Sequence, residues 1–442
     1  MPARSTALAL AAAITLLVPA GASADPPHPD VSTFAHTDNM VPLGSSPNPM
    51  PAAGVFNSDL AFWGDRAYQG TYWGFRIIDI SNPEDPVEIL DFDACHGSQG
   101  DVIVWNNLLV RSWNSAATVS TNPPGPVTCD GDIVPPGFEG LHIFDISNPQ
   151  NPDLVGSVPL PCGSHTATGV PDTANNRLLV YNSASSATCP WIEIVSVPLN
   201  APGTASLVAL AGSGRSCHDT AVILGAANLA ACAGGNGLTV WSIGGPRGGS
   251  LTAPVQLWTK TITGVSIGHA ASFSWDGEIV IFGHEPGGGS QAQCQESSPP
   301  VNKTVFFFKA SDGAQLGTWM MPRPQTPAEN CTIHNFNTVP SATRNILVSG
   351  NYQSGISVVD FTDPAQATEI AYADPDRLPG MQLGGDWSSY WYNGHIYEGD
   401  ITRGLLVWRL IDDPADPYDD GAVADAQMLQ HANPQTQEFT IA

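Results

Sequence analysis

Three stretches of the chain repeat one pattern: residues 74–86 (GFRIIDISNPEDP), 140–152 (GLHIFDISNPQNP) and 355–364 (GISVVDFTDP). Each is a Gly, a run of β-branched and aromatic residues, and an Asp-x-Ser/Thr-Asn/Asp-Pro turn. The run suits a strand, and the Asn-Pro or Asp-Pro pair ends it and reverses the chain. A second strand follows each turn, at 87–90, 154–158 and 369–372. Weaker copies stand at 191–197 before Pro198, 237–243 before Pro246, 304–310 before Asp312-Gly313, and 404–410 before Asp412. An apolar strand lies upstream of each of the seven, and another candidate strand lies upstream of that.

Self-similar four-stranded units cannot bury their faces alone and must stack on one another, so the predicted fold class is all-β, a β-propeller of seven four-stranded blades. Roughly 60 residues per unit exceed the ~40–45 of a minimal blade, which predicts enlarged loops at 114–139, 286–303 and 321–333. The repeats over 74–90, 140–158 and 355–372 resemble those of the LVIVD-repeat family, secreted or surface β-propeller proteins. That resemblance implies a fold and a location, and no reaction or catalytic residues. Units three, four and five depart from it, with Ser196-Val197-Pro198, Gly244-Gly245-Pro246 and Ser311-Asp312-Gly313 in place of the Asp-x-Ser turn. The last unit has no fourth strand, since 412–421 is acidic turn sequence. The extended stretch 31–43 is the expected ring-closing donor, with the C-terminal tail as the alternative.

The expected organisation is thus a signal peptide over 1–24, an N-terminal extension over 25–56 that closes the ring, the propeller over 57–411, and an acidic and polar tail over 412–442. Arg4, the apolar run 7–18 and Ala22-Ser23-Ala24 fit a secretory signal cleaved after Ala24. No uninterrupted apolar run is long enough for a transmembrane helix. The chain is read as secreted, extracellular or cell-surface associated, and monomeric. Charge excludes one class of partner: 15 Lys and Arg against 41 Asp and Glu give a net charge of −26, which repels nucleic acid.

Seven positions at the start of the first strand of each unit carry a polar residue: Asp59, His96, His165, His218, His269, His334 and Asp386. In a propeller these starts surround one mouth of the central channel. All eight cysteines map to the same face, Cys95, Cys162, Cys217 and Cys331 just before a ring histidine, and Cys129, Cys189, Cys232 and Cys294 at or after the end of a second strand. In an oxidising compartment they make four disulfides. Propeller topology favours 95–129, 162–189, 217–232 and 294–331. The alternative 129–162 and 189–217 would leave Cys95 and Cys232 in non-adjacent blades, beyond disulfide reach.

Arg111, His284, Glu285, Glu398 and Asp400 end second strands at this mouth. Imidazoles and carboxylates suit Cu, Zn or Fe, and a subset of the ring could hold one such ion. The candidate metal or ligand residues are therefore His96, His165, His218, His269, His284, Glu285, His334 and Glu398. A recurring blade histidine can equally be structural, hydrogen-bonded to its own turn. No Gly-x-Ser-x-Gly elbow is present, and Gly287 to Gly289 lacks the context of a phosphate loop. Two functions follow: an extracellular protein that binds a protein, peptide or glycan through a disulfide-clipped, histidine-lined face, or a secreted metal-dependent oxidoreductase or hydrolase.

Overall fold

The computed structural model describes residues 31–441 apart from 51–53, 119, 122–123, 381–382, 417–418, 420 and 422, so the signal peptide expected over 1–24 lies outside the described residues. The chain forms a seven-bladed β-propeller. The inner strands are Asn57–Trp63, Val102–Trp105, Thr166–Asp172, Asp219–Ile223, Gly268–Phe273, Asn335–Thr338 and Asp386–Tyr392, for blades 1 to 7 in order. Blades 1 to 6 each pass outward through three more antiparallel strands.

The repeated turn has a direct physical cause. Its first Asp accepts a hydrogen bond from the backbone N–H two residues on: Asp79 from Ser81, Asp145 from Ser147 and Asp360 from Thr362, at 2.8–2.9 Å. The Asn or Asp before the Pro does the same, Asn82 to Glu84, Asn148 to Gln150 and Asp363 to Ala365. Two successive side-chain caps thus satisfy backbone donors where the strand stops. The third and fourth strands of blades 1 to 6 then share a register shift at their midpoint, as at Ile77/Ile78 and Ile143/Phe144.

Alternate residues of each strand face opposite neighbours, so the core is divided among the seven blade interfaces. Phe75, Ile77 and Tyr68 of blade 1 meet Val104, Leu109 and Phe144 of blade 2. Leu60, Phe62 and Ile78 on the other face of blade 1 meet Tyr390, Leu405 and Val407 of blade 7.

The outer strand of blade 7 is Met40–Pro47, which pairs antiparallel with Gly404–Leu410. Ala35–His36 instead adds an edge to blade 6, pairing with Asp374 and Ala373. The N-terminal stretch thus serves two blades. The C-terminal tail goes elsewhere: it enters the channel and touches all seven inner strands. His431 and Ala432 pair with Trp63 and Phe62, Asn433 bonds both backbone groups of Val104, and Thr436 Oγ1 donates to Gly169. Thr436 and Gln437 pair with Val222 and Ile223, Gln437 Nε2 donates to Phe273 O and to Thr338 Oγ1, and the Gln430 carbonyl accepts from Tyr392. Most of these contacts fall at the later residues of the inner strands, so the tail closes the channel at the end away from the strand starts.

Candidate functional site

Four of the five ring histidines meet. His165, His218, His269 and His334 form an arc across blades 3 to 6, with successive ring centroids 4.2, 4.0 and 4.3 Å apart. Each stands at the N-terminal end of its inner strand or immediately before it, which sets the imidazole over the channel. The Glu285 carboxylate faces them: its oxygens lie 3.7 Å from His269 Nε2, 3.7 Å from His334 Nε2 and 4.0 Å from His218 Nε2. Tyr352 donates to Glu285 Oε1 at 2.6 Å and fixes the carboxylate. Burial is nearly complete for His269, His334, Glu285 and Tyr352.

The proton positions follow from the partners. His334 Nδ1 contacts the Trp387 carbonyl, which can only accept, so the ring proton is on Nδ1 and Nε2 presents a lone pair to Glu285. That carbonyl lies at a register shift between Asp386 and Ser388 in blade 7. His165 Nδ1 contacts Asn114 Oδ1 at 2.8 Å and the Gln99 amide nitrogen at 3.1 Å. The shorter contact makes Nδ1 the donor and leaves a lone pair on His165 Nε2, which lies 2.8 Å from His218 Nε2. Desolvation holds every ring of the arc neutral, pushing His165 down to about 4 and His334 to about 3, and holding His218 and His269 well below the usual imidazole range. It pushes Glu285 up to about 7, opposed by the Tyr352 hydrogen bond.

The arc borders a cavity of about 220 Å³ whose other wall carries Asp59, Asp101 and Asp219, with Gln435 of the tail. The cavity is a cup closed at its far end by that tail.

Three of the expected residues do not join the arc. His96 is exposed and stacks on Trp73 at 4.5 Å; the Cys95–Cys129 disulfide anchors its neighbour in the rim, and Asp101 takes the channel position in blade 2. His284 precedes Glu285 in an extended chain, so the two side chains point to opposite faces. Its Nε2 accepts from Ser266 N at 3.1 Å. Glu398 lies within blade 7, accepting from Trp408 Nε1 at 2.9 Å. Asp386 is also turned into that blade, onto Ser389. Arg111 is a structural residue, donating to the carbonyls of Thr71, Gly74, Ser98 and Ser112.

Tyr352, Asp101 and Gln435 are channel residues that the sequence does not single out. Asp219 carried a signal, standing next to His218. Tyr352 has a left-handed backbone with φ 56°, an unusual state for a bulky residue. A Cβ on Gly289 would come within 2.1 Å of its hydroxyl, which gives the Gly287 to Gly289 run a purpose: it lets the loop cross Tyr352. All eight cysteines are paired, 95–129, 162–189, 217–232 and 294–331.

The architecture and its channel define a seven-bladed β-propeller with a cup lined by imidazoles and carboxylates. The family model of the LVIVD repeat matches residues 57–94 and 137–159, which are blade 1 and the outer half of blade 2, so these two blades carry LVIVD repeats. No curated protein matches the chain.

Proposed function

We propose that this is an exported metal-binding propeller that holds one first-row transition-metal ion, copper, zinc or iron, among His218, His269, His334 and Glu285, with His165 beside it. The observation that carries this reading is the convergence of three imidazole nitrogens on one buried carboxyl group: His334 Nε2 lies 3.7 Å from Glu285 Oε1, and His269 Nε2 and His218 Nε2 lie 3.7 and 4.0 Å from Oε2. Such a juxtaposition calls for a cation. Ligand atoms around a tetrahedral ion with ~2.1 Å bonds stand ~3.4 Å apart, close to these separations and longer than a hydrogen bond. Ligand atoms of His218, His269 and Glu285 all lie within 4.8 Å of one another. Cys95, Cys129 and His142 meet the same distance test, but the two sulfurs are joined to each other and offer no thiolate.

The donors around the site have the form that metal sites use: a backbone carbonyl orients His334 and a tyrosine orients the carboxylate. Four disulfides and the lack of any helix long and apolar enough to cross a membrane, among the described residues, support export. The test is elemental analysis of protein from its native host, purified without chelators or a histidine tag. One Cu, Zn or Fe per chain, lost on His269→Ala, supports the reading. A well-folded, metal-free protein that takes up none of these ions overturns it. That result would favour the alternative of an extracellular protein, peptide or glycan bound on the mouth face, which draws its support from the four disulfides clipping that rim.

A further inference from the structure

The channel cavity has a second pole, opposite the imidazoles. Asp59, Asp101 and Asp219 line it, each at least nine-tenths buried, and among the described residues no lysine or arginine does. Asp59 is held by two neutral donors, Tyr390 Oη to Oδ1 at 2.6 Å and Gln435 Nε2 to Oδ2 at 2.8 Å. Asp101 Oδ2 accepts from Ala167 N at 2.7 Å and Asp219 Oδ1 from Thr220 N at 2.8 Å. The Asp101 and Asp59 side chains are also in hydrogen-bond contact with each other, and the second oxygen of Asp219 has no N–H or O–H donor among the described residues. Three buried carboxyl groups thus face one cavity whose described wall contains no lysine or arginine, an arrangement that is costly unless they share protons or a ligand supplies the positive charge.

We propose that this pole binds the ammonium group of a small primary amine, with its carbon chain extending toward the imidazole arc. The inference deepens the metal-binding reading, because it names the ligand that would share the cup with the ion. An ammonium group has three donors, one for each of Asp59, Asp101 and Asp219, and would replace the proton that Asp59 and Asp101 share. A hard divalent ion would require six to eight oxygens, more than this wall offers. Size sets the limit: 220 Å³ is the share of about seven waters, room for a short alkylamine and not for a peptide. Because the tail closes the far end, the amine enters past the histidines.

The experiment is calorimetric titration of the full folded chain with ethylammonium chloride, once after EDTA treatment and once loaded with zinc, with 1-propanol and propionate as neutral and anionic controls. One ethylammonium per chain in the EDTA-treated protein, with neither control binding, is the expected result. Asp101→Asn keeps the acceptor for Ala167 N while removing the charge, and is expected to weaken binding at least about tenfold. Asp219→Asn gives the same reading independently if the first variant fails to fold, folding being followed by near-ultraviolet circular dichroism. Failure of ethylammonium to bind, equal binding by both variants, or an aspartate-dependent Ca²⁺ or Mn²⁺ site that excludes the amine would each overturn the proposal. Since the first titration contains no metal, amine binding in a protein that takes up none of copper, zinc or iron would sink the metal reading and leave this one standing, and metal uptake without amine binding would do the reverse.

Discussion

The buried arginines of blades 1 and 2 and the channel residues His165, His218, His269 and Glu285 of blades 3 to 5 are used in opposite ways. In the first pair the turn motif is intact, and the buried cations are consumed by the fold: Arg76 bonds Glu88, Gln69, Ser46 and the Pro47 carbonyl, and Arg111 bonds four carbonyls. In blades 3 to 5 the motif decays, and His165, His218, His269 and Glu285 turn toward the channel. Two of these, His218 and His269, leave Nδ1 without a partner among the described residues. A polar group satisfied by its own fold is evidence about stability, whereas one buried and left with an open valence is evidence about a ligand.

The sharpest way to break this contrast is to remove a residue of each kind and read both stability and metal. His269→Ala together with His334→Ala is expected to abolish metal uptake while costing under about 2 kcal/mol, since neither ring donates to more than one protein group. Elemental analysis with thermal melts checks both, and retained stoichiometric metal would undo the division. Arg111→Ala should do the opposite. It leaves four buried carbonyls short of a donor and is expected to cost roughly 3–5 kcal/mol with metal content unchanged in the folded fraction. Equal loss of metal in this variant would mean that blades 1 and 2 also hold the ion.

The contrast also explains what was legible in the sequence. The strands and the sheet order follow from the Gly–strand–Asp-x-Ser-Asn-Pro pattern, because each element of that pattern makes a local hydrogen bond, such as Asp79 to Ser81. The disulfides followed from the same topology. The arc was half legible: His165, His218, His269 and His334 stand at equivalent strand starts, and Glu285 was identified only by its place on that face. Tyr352 and Gln435 were not, because their roles come from contacts between residues far apart in the chain, Tyr352 with Glu285 and Gln435 with Asp59, 376 positions away. His284 was misplaced because alternation sends neighbours to opposite faces, and Glu398 because it turns toward Trp408 inside its blade instead of toward the channel.

Glu398 gives a smaller and pH-dependent effect. Burial, reinforced by Asp400, pushes it up to about 8, and its Oε1 has no partner among the described residues. Its proton is therefore held in the folded state at a pH where the unfolded chain has already lost it. Folding is favoured most at low pH, and stability falls as pH rises from about 4.5 through 8, by at most ~1.4 kcal/mol per unit for one group. Glu398→Gln removes that slope, so the variant should gain on the parent between pH 5 and pH 8, with Asp386, raised by burial and by Glu398, retaining part of the dependence. Urea melts at the two pH values test it. Parallel changes in both proteins would show that this carboxyl ionises freely in the fold.

The smallest effect is expected at His96, and it bears directly on whether position in the repeat makes a histidine functional. His96 follows Cys95 as His218 follows Cys217, so sequence alone places the two alike. In the fold, however, His96 is exposed, its Nε2 bonds the nearby Asp93 carbonyl at 2.7 Å, and its ring covers Trp73 outside the cavity. His96→Ala should leave metal content and the zinc titration unchanged, and cost within about 0.5 kcal/mol, as surface substitutions do. His218→Ala in the same assay should lose metal. If His96→Ala also lost it, the ion would lie at the outer rim over blades 1 and 2 and not in the buried arc, since no ion near 2.1 Å from Glu285 could also reach a ring stacked outside on Trp73.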